Sequence, residues 1–193
     1  GYMEDADHVN SIYSDTNRNL IELFKTIGIE VMDPYSNERN KRLFFTNAAL
    51  CLKENGGAQG ETSRIWYCNC GKFIKELIDI IEPGVIITLG FRAYDAMIET
   101  YNLKVQGYCK FSEVIDRNAD GIKIKTTAEG RDVVLFPVYH PARRIINLGN
   151  KYEGRKYRSW NQMIDDWKRI GRYLSSKAII EECAPRLATP GPR

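Results

Sequence analysis

The chain has 193 residues, of which 43% are hydrophobic and 27% charged, with a formal net charge of +3. That length suits one domain with a proper core, the composition excludes a disordered chain, and the charge is too mild to argue nucleic-acid binding by itself. No run of about 18 apolar residues predicts a membrane span, and the first residues do not read as a secretory signal. The five cysteines (Cys51, Cys68, Cys70, Cys109, Cys183) are an odd number in a mid-sized chain. That argues for a reducing, cytoplasmic setting rather than a disulfide framework.

In chain order, residues 1–14 are polar and irregular. Asp15-Thr16 can cap a helix over about 17–26, with Leu20, Ile21, Leu23, Phe24 and Ile27 on its apolar side and Gly28 as its stop. A polar loop, 33–42, leads to Leu43-Phe44-Phe45-Thr46, which reads as a short apolar strand with Asn47 at its carboxyl end. A glycine-rich loop spans 51–63. The next helix runs to about Glu82, with Trp66, Cys70, Phe73, Ile74, Leu77 and Ile81 at helical spacing. Pro83-Gly84 breaks it, Val85–Leu89 reads as a second buried strand, and Gly90 opens a helix to about Tyr101.

The segment 102–120 reads as loop-rich, and 121–139 as a hairpin whose second arm is the apolar run Val133–Phe136. Pro137 is expected to end its regular pairing. A last helix over about 160–175 carries Trp160, Met163, Ile164, Trp167, Ile170 and Leu174 as a core-facing stripe. The pattern predicts one domain over 1–183 and a disordered tail over 184–193. Its expected fold is a three-layer α/β/α sandwich around a mainly parallel four-stranded central sheet.

The richest stretch for chemistry is 132–144, DVVLFPVYHPARR. A buried strand there delivers Tyr139-His140-Pro141 and then Arg143 and Arg144 to a sheet edge, and ligands of open α/β sheets bind at the carboxyl ends of strands. Between His140 and Arg158 six basic side chains (Arg143, Arg144, Lys151, Arg155, Lys156, Arg158) face one acid, Glu153. Such a loop suits phosphate contacts and equally reads as a solvated one. Asp116-Arg117-Asn118-Ala119-Asp120-Gly121 matches half of a calcium loop, but its twelfth position is Thr127, so it reads as a turn. Cys51 and Cys68 bracket the glycine-rich loop and are weak candidates for half of a metal site, against the plainer reading of buried free thiols. No nucleophile elbow, P-loop or dinucleotide fingerprint occurs. If the strands before Asn47 and His140 are parallel, an amide that can read a base edge and an imidazole donor converge. With arginines for phosphates beside them, they suggest a flipped base as ligand.

At FFTNAALC (44–51), ELIDIIEPGVIITLG (76–90) and VYHPARR (138–144) the sequence resembles the uracil-DNA glycosylase superfamily, with the pieces in the family's order. The interval from Cys51 to Cys68 resembles its iron–sulfur-containing branch. The resemblance implies a monomeric DNA-repair enzyme that hydrolyses the N-glycosidic bond of uracil or a related damaged base, with DNA as partner. It implies Asn47 as the reader of the base edge and His140 as the donor to the uracil O2. Tyr13 corresponds to the aromatic that stacks on the base, and Arg144, with Arg143 beside it, to the wedge that fills the gap left by the flipped base. Lys151 and Arg155 extend the DNA-facing loop. A 4Fe-4S cluster is implied only if further cysteines lie upstream; otherwise no cofactor is expected. The family's first motif, which carries a water-activating Asp or Asn, has no counterpart here. Asp33-Pro34-Tyr35 mimics it after the first helix and reads as a decoy, and the expectation is a chain that starts just beyond that motif. The alternatives are a catalytically silent DNA- or nucleotide-binding module of the same fold, and a hydrolase of free nucleosides or nucleotides.

Overall fold

The computed structural model describes residues 15–31, 43–50, 64–104, 110–126, 132–142 and 158–183, with the side chains of the last helix described through 177. The elements are α1 (Asp15–Lys25), α2 (Arg64–Ile81), β1 (Val85–Leu89), α3 (Phe91–Thr100), α4 (Phe111–Arg117), β2 (Ile122–Lys125), β3 (Asp132–Val138) and α5 (Trp160–Cys183).

Strand β3 is the centre of the sheet. It pairs parallel with β1, Val85 opposite Val134 and Leu89 opposite Val138, and antiparallel with β2, Ile122 opposite Leu135. Every residue of β3 after Asp132 is buried, as an apolar run covered on both faces requires. Side chains alternate across a strand, and the packing follows that period. Val134, Phe136 and Val138 join Leu23 and Phe24 of α1 and Met163, Trp167 and Ile170 of α5. Leu135 packs instead with Ile74 and Ile78 of α2, Tyr94 and Met97 of α3 and Ile124 of β2. Helices therefore cover both faces of the sheet.

The expected four-stranded, mainly parallel sheet is corrected to three strands of mixed direction among the described residues. Residues 43–46 form no strand and pair with none of the described strands, and Phe44 and Phe45 are 59% and 52% exposed. A strand draws its stability from a neighbour's hydrogen bonds, and no described strand lies beside this one. Leu43 still packs on the core, and the Phe45 ring meets Phe24 edge-on, centroids 5.7 Å apart.

Pro137 does not end β3: it stays in register with Thr88 of β1. On its other side β2 pairs no further along than Leu135, so the missing N–H removes no rung there. The hairpin arm β2 forms as expected. Gly121 opens it at φ +82°, where a Cβ would stand 2.2 Å from Val134 Cγ1. Within the stretch expected to be loop, α4 is a two-turn helix too short for periodicity to reveal. It places Val114 in one cluster and Ile115 in the other.

Helix α2 buries Cys70, Ile74 and Ile78 with Gly71, a stripe rotated from the expected one, and leaves Phe73 half exposed. The contact with α3 sets this rotation, because Gly71 faces Thr100 at a distance that leaves no room for a side chain. The stripe of α5 is as its spacing predicts: Met163, Trp167 and Ile170 are buried, and Trp160, Ile164 and Leu174 flank them.

Candidate functional site

Strands β1 and β3 are parallel, so their carboxyl ends share one edge of the sheet. The Gly90 N–H donates to Val138 O at 2.7 Å, carrying the pairing one residue past β1. Gly90 has φ +91° and ψ 167°, a conformation open to glycine, and its missing Cβ would stand 3.3 Å from His140 Cβ. The chain turns into α3 at this point and leaves room for the second residue past β3.

That residue is His140, exposed between buried Tyr139 and buried Pro141. Tyr139 is held by the Phe111 ring, centroids 5.1 Å apart. The Ala142 N–H donates to His140 Nδ1 at 3.2 Å. A nitrogen that accepts cannot also carry the proton, so the neutral ring bears its hydrogen on Nε2. Desolvation lowers the His140 pKa from its ordinary 6.5, which keeps the ring neutral near pH 7. From α1, Asn19 Nδ2 donates to Pro141 O at 2.8 Å. Neither Asn19 nor Gly90 is marked by sequence alone: one reads as a polar helix position, the other as a helix start. Their part shows only once the strand ends are brought together.

Asn47 is exposed on the irregular segment 43–50. No hydrogen bond among the described residues joins it to His140. Its tie to this region runs through Phe45 and Phe24 to α1, the helix that also carries Asn19. Tyr13, Arg143, Arg144, Lys151, Arg155, Cys51 and the decoy Asp33-Pro34-Tyr35 lie outside the described residues.

Arg158, counted with the basic loop in the sequence, belongs elsewhere. It is 7% exposed and paired with Asp166 at 2.8 Å, and it also bonds Asp116 and the Ser112 carbonyl. Its charge is consumed inside the fold. Asp116 is thus an ion-pair partner rather than a calcium ligand, and Asn118 caps the Val114 carbonyl at 2.7 Å.

Cys68 is exposed on α2, and its thiol donates to Glu99 Oε2 at 3.2 Å; Arg64 bonds the other oxygen of Glu99. The hydrogen bond to Glu99, then desolvation, push the Cys68 pKa up, away from the thiolate a metal needs. Cys70 is buried and accepts the Leu50 N–H at 3.2 Å. Among the described residues no three His, Cys, Asp or Glu side chains gather to hold a metal.

The sequence model of the uracil DNA glycosylase superfamily matches residues 4–167. The chain belongs to that superfamily. It is also similar to a type-4 uracil-DNA glycosylase of Saccharolobus solfataricus (strain ATCC 35092 / DSM 1617 / JCM 11322 / P2), 25% identical over 138 residues. That match takes in 71% of this chain and 54% of the relative, so the chain spans about half the length of the curated relative it matches. The superfamily match covers the residues from α1 through β3 and into α5. No described helix is long and apolar enough to cross a membrane.

Proposed function

We propose that the protein hydrolyses the N-glycosidic bond of uracil, or of a related damaged base, in DNA. The observation that carries this reading is the state of His140. It stands at the carboxyl edge of a buried strand, neutral, with Nδ1 satisfied by Ala142 and Nε2–H left as its donor. When the bond from the sugar to the base nitrogen breaks, its electron pair goes to the base, and negative charge develops on the carbonyl oxygen beside that nitrogen. A fixed N–H aimed at that oxygen stabilises the leaving base. A neutral donor stabilises that charge by hydrogen bonding alone and keeps its proton while doing so. Superfamily membership supports the same reading.

In this reading Asn47 pairs with the base edge and Tyr13 stacks on it. Arg143 and Arg144 enter the DNA, with Arg144 as the wedge, and Lys151 and Arg155 contact phosphates. The test is single-turnover release of uracil from an oligonucleotide by the full-length protein. His140→Ala is expected to lower the rate by about 10²–10³, the usual cost of one oriented donor. Asn47→Ala is expected to lower it and to relax discrimination between uracil and cytosine. Base release that neither substitution affects would overturn the assignment. Salt-sensitive DNA binding without base release would favour a silent binding module.

A further inference from the structure

Asn19 and His140 meet the same peptide group from opposite sides. Asn19 Nδ2 donates to Pro141 O at 2.8 Å, and the N–H of that same peptide unit, on Ala142, donates to His140 Nδ1 at 3.2 Å. A peptide unit is planar, with its C=O and N–H pointing in opposite directions. Fixing the oxygen therefore fixes the direction of the N–H. Accepting a hydrogen bond at the oxygen also polarises the unit and strengthens the N–H as a donor.

The support behind Asn19 is rigid. It sits 122 positions from Pro141 in sequence, on the helix whose Leu23 and Phe24 are buried, with the Phe24 ring edge-on to Trp167 at 4.8 Å. On the far side Gly90 closes against His140 Cβ. Pro141 is itself buried and has no N–H, so its carbonyl is its one strong hydrogen-bonding group.

We propose that Asn19 is a positioning residue that sets the tautomer of His140 through the Pro141–Ala142 peptide. The chain Asn19 Nδ2–H to Pro141 O, then Ala142 N–H to His140 Nδ1, holds Nδ1 as an acceptor and so keeps the proton on Nε2. This rests on the glycosylase reading for its consequence, but not for its geometry. Without Asn19 the peptide is free to rotate, Nδ1 loses its donor, and both tautomers become populated.

Nitrogen NMR of the His140 ring reads the tautomer directly, whatever the protein's activity. In the full-length wild type, at a pH where the ring is neutral, Nε2 is expected to be protonated and Nδ1 not. The opposite pattern, or an even mixture, would overturn the proposal without any variant. Asn19→Asp keeps the shape but removes the donor, and it should yield mixed ring signals. Asn19→Gln keeps a donor and should restore part of the wild-type pattern; Asn19→Ser is the substitute if Asn19→Asp does not fold. Ring signals in the donor-less variant identical to wild type would overturn the proposal. If uracil is released, the donor-less variant should lose about tenfold in single-turnover rate, as loosely held catalytic groups do, with DNA affinity within about twofold. If the wild type releases no uracil, the enzymatic reading falls while the ring signals still decide the role of Asn19.

Discussion

An imidazole is useful as a donor only when its proton sits on the nitrogen that faces the ligand. At His140 the neighbouring backbone decides this, through Ala142, and desolvation holds the ring neutral. Gly90 tests how tightly the backbone is set. Its φ of +91° is strained for any side chain, and a Cβ would press on His140 Cβ at 3.3 Å. Gly90→Ala should cost about 1–3 kcal/mol of stability, readable by denaturant unfolding, because it forces a left-sided conformation on a residue with a Cβ. It should also lower the rate of base release, because His140 must move to make room. An unchanged rate in a folded Gly90→Ala protein would mean that the histidine tolerates displacement. The sequence marked His140 as a strand-end titratable group, but not Gly90 or Asn19. Those two act by position, and their residue types carry no chemical signature.

At the scale of elements, the helices are placed by close approach as much as by apolar stripes. Gly71 of α2 lies so near α3 that a Cβ would stand 2.7 Å from Thr100 Oγ1, which itself donates to Ala96 O at 2.7 Å. Gly71→Ala adds helix propensity of about 1 kcal/mol, yet it must displace that hydroxyl, and overpacking typically costs about 1–3 kcal/mol. A net loss of stability is expected, with recovery in the Gly71→Ala/Thr100→Ala double variant. A double-mutant cycle with no coupling would contradict the packing described. Periodicity correctly foretold α1, α2, β1, α3, the β2–β3 hairpin and the stripe of α5. It misjudged the face of α2, because a contact between helices chooses among several apolar positions. It also passed over α4, where two turns give too few residues for a period.

For the molecule as a whole, the notable electrostatic feature is buried and remote from His140 in the hydrogen-bond network. Asp166 is 4% exposed beside Arg158 at 2.8 Å and Arg169 at 3.4 Å. Burial raises its pKa from 3.8 to about 6, against the pull of the two arginines. A folded-state pKa above the unfolded one means that the native state binds the proton more tightly. That contribution is complete below pH 3.8 and is lost as the pH rises through about 6. Asp166→Asn should therefore flatten the dependence of stability on pH across this window, as seen in urea midpoints. At pH 7 it should also destabilise, by about 3 kcal/mol, because it leaves Arg158 with a weaker buried partner. A variant as stable as wild type at pH 7 would show that Asp116 alone suffices for Arg158.

The sequence by itself determined the order of the elements around β3, the α/β class, and the placement of a histidine just past a strand end. These follow from local rules, periodicity and strand-end chemistry, which need no partner. Only the tertiary structure decided that, among the described residues, the sheet is mixed and 43–46 stays unpaired, and that Arg158 is an internal ion pair rather than a phosphate contact. It also decided that Asn19, through one peptide group, reaches the ring of His140. Strand pairing, burial of charge and side chain–backbone hydrogen bonds between distant residues depend on which segments become neighbours. No window of local sequence contains that information.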